Sequence, residues 1–272
     1  SFPTRRSSDL VEGVTIAFHA GAALGGPLAH QRRVNVDGTR ALAKAASEAG
    51  IQRFVHVSSI AVYGYDVRGL VHEDHPQQPG NSSYNKTKSE AEQALLDVSD
   101  QQDLPFSIVR PGMIYGPRSR AWTRSMFRLA RMCPTPFVGN GTGSTHPIFV
   151  DDVVDLLIHC ATHPNASGEA FHCAPDPAPT WREFLGAYAA VAGHQYWLGI
   201  PVPISRIVAG LADMLLRSRH NPQDVLRLVE YISSDVTYSM AKARERLSWA
   251  PRVSLHEGIQ RCIPYLREQK LL

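Results

Sequence analysis

Three short apolar runs, VTIAF (14–18), RFVHVSS (53–59) and PFSIVR (105–110), each break off at small, polar or Pro-Gly residues, and the stretches between them carry apolar positions at helical spacing. Runs this short, rich in β-branched and aromatic residues, form buried strands, while the intervening periods of three and four form helices. Strands separated by helices pair side by side in one direction, as βαβ units, because no tight hairpin joins them. The alternation therefore predicts an α/β chain on a parallel sheet. The helix over 34–49 has Val36, Leu42, Ala45 and Ala46 on its apolar positions and Gly50 as its stop. A polar loop over 65–83 precedes a helix that carries Tyr84, Lys88 and Glu92 on one face.

Beyond Pro117 the rhythm changes. HPIFV (146–150) leads into a helix at Asp151 or Asp152, and GEAFHCA (168–174) reads as a further strand. Thr180 and Glu183 form a capping box that opens a helix through Ala192. Ile204, Ile207, Val208, Leu211 and Leu215 make an apolar stripe, with Arg206 and Asp213 on the polar side. That stripe is expected to be lobe core rather than a membrane anchor, and the two charges break it as a membrane span.

With 272 residues, 43% hydrophobic and 19% charged, the chain has the composition of an ordinary globular enzyme. Of the net charge of +3, Arg5, Arg6 and Asp9 supply +1, leaving +2 for the rest, too little and too dispersed for nucleic-acid binding. Cys133, Cys160, Cys173 and Cys262 form no CxxC pair, so a reduced, cytoplasmic setting is expected. His72 and His75 read as a solvated loop rather than metal ligands, and His19 and His56 as satisfied strand residues. The Asp151–Asp152 pair reads as carboxylates drawn to a helix N-terminus. SFPTRRSSDL (1–10) has no apolar period and reads as the translation of a sequencing-adapter end. It is expected to be a scar, with the gene beginning upstream.

The chemistry centres on YNKTK (84–88). Residues four apart lie on one helix face, so a phenol and an ammonium can meet one ligand, and the ammonium is expected to lower the Tyr84 pKa. Ser59 ends a strand 25 residues earlier, where a hydroxyl reaches a ligand at the carboxyl edge of a parallel sheet. Taken alone, Ser59 reads equally well as a cap or turn serine.

FHAGAA (18–23), NVDGT (35–39), RFVHVSSIAVYG (53–64), YNKTKSEAE (84–92), IVRPGMIYGP (108–117), HPIFVDDVVD (146–155) and KARERLSWAP (242–251) together resemble the extended short-chain dehydrogenase/reductases, the NAD-dependent epimerase/dehydratase family. The resemblance implies a Rossmann-like, doubly wound parallel sheet missing its N-terminal half, with a smaller, mostly helical C-terminal substrate lobe. It places the cofactor domain over 11–117 plus 146–174 and the lobe over 118–145 plus 175–272. It implies Tyr84 as acid/base, Lys88 as holder of the nicotinamide ribose and depressor of the Tyr84 pKa, and Ser59 as orienter of the substrate oxygen. Ala20, Gly21 and Ala22 let NAD or NADP approach the backbone, Asn35 and Val57 sit beside the same pocket, and Pro111 and Met113 flank the nicotinamide. Asp152 is expected to brace the fold.

The family's glycine-rich pyrophosphate turn has no counterpart here, since GNGTG (139–143) leads into a strand-like segment. This chain alone is therefore expected to bind the cofactor poorly and to be inactive, and the full-length protein could form a homodimer. Met113 stands where nucleotide-sugar enzymes of the family place an Asn, and Thr145-His146 where they place Arg-Asp. Both replacements remove charge-assisted bonds from a diphosphate pocket. The expected substrate is a neutral, hydrophobic small molecule resembling a 3β-hydroxysteroid or dihydroflavonol. A nucleotide-sugar 4-epimerase or dehydratase is the alternative enzyme, and a non-catalytic NAD(P)-sensing protein the alternative of another class.

Overall fold

The computed structural model describes residues 7–216 and 225–272, and so leaves Ser1–Arg6 of the proposed scar outside the described residues. Helix α1 (Ser7–Val11) precedes strand β1 (Ile16–His19). A short α2 (Leu28–Gln31) passes through a π-helical stretch, Arg32–Asp37, into α3 (Gly38–Glu48). There follow β2 (Arg53–Val57), a 3-10 turn Ile60–Tyr63, β3 (Gly69–Val71), α4 (Ser83–Gln102), β4 (Phe106–Pro111) and β5 (Met113–Tyr115). A second π-helical stretch, Arg120–Ser125, leads to α5 (Met126–Ala130), β6 (Thr135–Val138), β7 (Pro147–Phe149), α6 (Val150–Thr162), β8 (Glu169–Cys173) and α7 (Trp181–Val191). The chain ends with β9 (Trp197–Ile200), α8 (Val202–Leu216), α9 (Val225–Ile232), β10 (Val236–Tyr238), α10 (Ala241–Leu247) and α11 (Leu255–Glu268).

The central sheet runs β1-β2-β4-β8, and every pairing in it is parallel. Period-two alternation shows why both faces are covered. Phe54, Phe106 and Ile108 pack with Ala43, Ala46, Leu95 and Val98 of α3 and α4, whereas Val55, Val109 and Phe171 pack with Val153, Leu156 and Cys160 of α6. This is the doubly wound, Rossmann-like α/β arrangement expected. All six residues of β4 are buried, and β1 is only half-covered at the edge. A third apolar cluster, around Tyr115, Phe127, Phe137, Phe184, Tyr188 and Ile259, gathers α5, α7 and α11 beside the sheet.

Local signals explain most boundaries. Gly50 takes φ +64° and donates its N–H to the Ser47 carbonyl (2.9 Å), closing α3. The Thr180–Glu183 capping box forms reciprocally. The Asp152 carboxylate accepts the backbone N–H groups of Arg252 (2.9 Å) and Val253 (3.1 Å), tying α6 to the segment that enters α11. GNGTG forms the turn from β6 to β7, with Gly139 and Gly141 at positive φ.

Two expectations about the elements fail. The loop over 65–83 contains β3, paired in parallel with β10, and Val67 and Val71 are buried. Three residues are too short a run to show a period, and the partner strand lies far along the chain. The stripe on α8 is also turned inside out. Ile204, Ile207, Val208 and Leu211 are all more than half exposed, and the buried side is taken by Ser205 and Ala209. The side chains of Asp213 and Leu215 lie outside the described ones. Small residues let α8 approach its neighbour α9 closely, and a helix that is apolar nearly all round does not announce which face that is.

Candidate active site

The carboxyl ends of β2 and β4 bring the sequence-predicted residues together. Where β2 ends, Ser59 N-caps the 3-10 turn, its Oγ accepting the Ala61 N–H (3.2 Å). The same hydroxyl is hydrogen-bonded to the Tyr84 phenol. Ser59 is therefore a cap residue whose hydroxyl also meets the Tyr84 phenol. Helix α4 starts at Ser83 with Ser82 as N-cap, which sets Tyr84 in the first turn, facing Ser59, and Lys88 one turn on. Lys88 Nζ donates to the Val57 carbonyl at 2.6 Å, crossing from helix to strand.

The electrostatics differ from expectation in one respect. Burial raises the Tyr84 pKa above its ordinary value; the Ser59 hydrogen bond opposes this and Tyr65 adds to it. The Lys88 ammonium is directed at the Val57 carbonyl, and burial dominates at the phenol. Burial also lowers the Lys88 pKa to about 8, with Glu92 pulling the other way. Near neutral pH the pair is a protonated phenol beside a charged amine.

Asn35 is buried and its amide is fully committed. Its Oδ1 accepts the Ala23 N–H (2.7 Å), while Nδ2 donates to the Ala23 carbonyl (3.0 Å) and to Thr87 Oγ1 (2.9 Å). It thus straps the loop carrying Ala20, Gly21 and Ala22 to the turn of α4 between Tyr84 and Lys88. Pro111 is buried at the end of β4, and Met113, half-buried on β5, receives the Thr145 hydroxyl at its sulfur (3.6 Å). Between them, Gly112 crosses so close to β7 that an added Cβ would collide with the His146 carbonyl oxygen. His56 overturns the expectation of a satisfied strand residue: both ring nitrogens are buried without a protein partner, and burial holds the imidazole neutral. His19 does find a partner, Thr39 Oγ1 at 3.0 Å.

Sequence reasoning missed a buried polar chain behind this site. Arg110 forms a bidentate pair with Glu92 (3.0 and 2.7 Å) and donates to Tyr63 Oη (2.5 Å). Tyr63 then donates to His172 Nε2 (2.7 Å), whose Nδ1–H points to the Ser239 carbonyl (3.1 Å). Glu73, expected in solvent, accepts the His172 N–H with its side chain. The only advance signal was Glu92 on the face of Tyr84 and Lys88. Among the described residues no group of three or more His, Cys, Asp or Glu side chains could hold a metal ion.

A cavity of about 660 Å³ opens against Tyr84 and Ser59. Gly112, Met113, Thr145 and His146 form part of its floor, and Trp122, Met126, Leu129, Phe137, Leu185 and Ile232 its apolar walls.

Residues 5–174 match the model of the NAD dependent epimerase/dehydratase family, more than half of the chain. The chain belongs to that family. It is 28% identical to UDP-glucose 4-epimerase of Vibrio cholerae, over 86% of this chain and 69% of that protein. It is also 28% identical to 3beta-hydroxysteroid-dehydrogenase/decarboxylase isoform 1 of Arabidopsis thaliana, over 93% of this chain and 62% of that one. The solved UDP-glucuronic acid 4-epimerase of Bacillus cereus, in complex with NAD, superposes with a TM-score of 0.77 at 20% identity, covering 98% of this chain and 78% of that one.

An NAD-dependent epimerase or dehydrogenase of this family needs hydrogen-bonding capacity at the sheet edge for the nicotinamide end of its cofactor. The residues present fit. Lys88 uses one of its three N–H donors on Val57, and the buried hydroxyls of Ser58 and Ser83 have no protein partner.

The floor also makes a pH prediction. His146 donates from Nε2 to the Val236 carbonyl (2.9 Å) and faces the Tyr231 hydroxyl with Nδ1 (3.4 Å), so each imidazole here and in the polar chain uses one N–H and one lone pair. Burial lowers the His146 pKa to about 4 and the His172 pKa to about 3. The folded state therefore binds fewer protons than the unfolded state below pH 6.5, the ordinary imidazole value. Stability is full above that pH and falls as pH drops towards 4 and 3, by roughly 1.4 kcal/mol per pH unit per imidazole. Urea midpoints measured from pH 7.5 to pH 4 should fall accordingly, and His146→Gln should flatten the slope. A flat profile in the parent chain excludes this linkage.

Proposed function

We propose that the gene product containing this chain is an NAD(P)-dependent dehydrogenase/reductase acting on a hydroxyl or keto carbon of a small, neutral, hydrophobic molecule, resembling a 3β-hydroxysteroid or dihydroflavonol. One observation carries the substrate class. Among the described residues, none of the side chains lining the cavity is an Arg, Lys, Asp or Glu. A nucleotide diphosphate brings charge that needs guanidinium or ammonium partners in a desolvated site, whereas Trp122, Met126, Leu129 and Phe137 offer an apolar skeleton its complement. Relatives at the same 28% identity include a steroid dehydrogenase and a UDP-glucose 4-epimerase, so the substrate class rests on the cavity lining.

In this reading the bound nicotinamide supplies or takes the hydride. Tyr84 Oη moves the proton at the substrate oxygen, and its protonated state at neutral pH suits donation to a ketone oxygen during reduction. Ser59 Oγ hydrogen-bonds the same oxygen and fixes its distance from the phenol. Lys88 and Tyr84 hold the nicotinamide ribose, Pro111 and Met113 border the ring, and Ala20–Ala22 with Val57 provide close-approaching backbone. Asn35 acts through the loop it straps. The segments 118–145 and 175–272 supply the substrate-binding lobe.

The test, in the gene product, is nicotinamide absorbance at steady state with NADH and NADPH over panels of 3-ketosteroids and dihydroflavonols, and chromatography of UDP-sugars incubated with NAD, because epimerisation returns the hydride and leaves the absorbance unchanged. Turnover of a neutral ketone with no UDP-sugar activity is expected. UDP-sugar epimerisation without ketone turnover would overturn the proposal.

A further inference from the structure

The lobe presents three features that the site does not use. Helix α8 turns Ile204, Ile207, Val208, Leu211 and Met214 outward, each more than half exposed, over an arc of roughly 120° at 100° per residue. Next, Tyr196, Trp197 and Leu198, where β9 begins, are exposed aromatic and apolar residues on the strand that feeds α8. Finally, Arg118, Arg120, Arg124, Arg128 and Arg131 fall in a segment with no acidic residue between Gly116 and Asp151. None of the five pairs with a carboxylate of the described residues.

These features lie on consecutive, paired elements. The arginine segment runs through α5 into β6, which pairs with β9 along its whole length, and the Thr135 N–H donates to the Tyr196 carbonyl (2.8 Å). From Ile200 the chain enters α8. We propose that this side of the lobe is an interfacial docking surface for an anionic lipid bilayer, with α8 lying in the plane of the membrane.

The chemistry selects that occupant. Large aliphatic side chains on one helix face, Trp and Tyr beside it, and cations of one sign without protein partners are the composition by which a helix rests in the headgroup region. A protein partner would have to answer five unpaired arginines with a matched acidic patch, which lipid phosphates supply without specificity. Spanning is excluded for α8, since no helix among the described residues is long and apolar enough to cross a membrane.

Resting on the proposed function, the surface also gives the hydrophobic substrate a source. Met126 and Leu129 of α5 and Leu228 and Ile232 of α9 line the cavity, and α8 packs on α9. The elements that would touch the bilayer are thus the outer wall of the substrate cavity.

Flotation of the full chain with vesicles of phosphatidylcholine, alone or mixed with phosphatidylglycerol, tests the docking without requiring turnover. The chain should float with the anionic vesicles, less so at high salt. Ile207→Asp/Leu211→Asp, at exposed positions that leave the fold intact by circular dichroism, should weaken partitioning at least about tenfold. Arg120→Glu/Arg128→Glu should abolish the preference for anionic lipid. Failure of the folded chain to float with either vesicle would overturn the proposal. So would a double-Asp variant that floats like its parent, or light scattering showing a dimer that this variant dissolves. In the gene product, loss of flotation with ketone turnover retained removes the docking surface alone, and the reverse result removes only the substrate assignment.

Discussion

Tyr84→Phe should lower kcat for ketone reduction by about a hundred- to ten-thousandfold, the usual contribution of a positioned general acid. The substitution keeps the ring and removes one oxygen, the atom hydrogen-bonded to Ser59. Loss of that one bond costs about 1 kcal/mol of stability, so the variant should remain folded. KM should change little, because the cavity walls that hold an apolar substrate are untouched. Ser59→Ala should give a smaller loss, as the hydroxyl orients the substrate oxygen without moving its proton. Single-turnover measurements of NADH oxidation in the gene product would separate chemistry from product release. Equal rates for the parent and the Phe variant would remove Tyr84 from the mechanism.

Arg110→Leu should destabilise the fold by about 3–5 kcal/mol, the penalty for stripping the partner from a buried charge. The Glu92 carboxylate is 2% exposed and the Arg110 side chain 7%, and two of the arginine's nitrogens contact that carboxylate. Tyr63 and the Glu73 carbonyl lose a donor in the same stroke. The melting temperature should fall by roughly 10 °C in a chain of this size. Arg110→Leu/Glu92→Leu should recover much of the loss, since no charge is then left buried alone. If both variants melt with the parent, the pair contributes nothing net. The substitution should also slow turnover in the surviving folded fraction, because Glu92 lies two helical turns from Tyr84 and anchors the same face of α4 to β4.

The parts legible in the sequence were those written locally. Apolar alternation in β2 and β4, the glycine after α3 and the capping box at α7 each state their structure within a few residues. The placement of Ser59, Tyr84 and Lys88 was legible as well: YNKTK declares one helix face, and SSIAVYG places its serine at a strand end. What the residues could not show was set by distant partners. Glu73 sits in a stretch that looks solvated, and only β8 and Arg110, brought over it by the sheet, turn it inward. The fall of the Tyr84 pKa expected from a neighbouring amine fails for a similar reason, since desolvation at that depth outweighs the charge on Lys88, which is spent on a strand carbonyl. On α8 the apolar stripe has helical spacing but faces outward, because spacing fixes an angle between residues and not which side faces the neighbour.

Gly112 divides the pocket into two kinds of surface. Its backbone N–H is bound to the Cys173 carbonyl and the next N–H, of Met113, to the His146 carbonyl, with no room for a side chain where the two segments cross. The base of the cavity is therefore rigid at Gly112, whereas Trp122, Leu129 and Ile232 stand on helices that can exchange bulk without moving it. Tailoring the molecule accepted should thus be a matter of trimming or enlarging those three rims, leaving the seat of the chemistry in register.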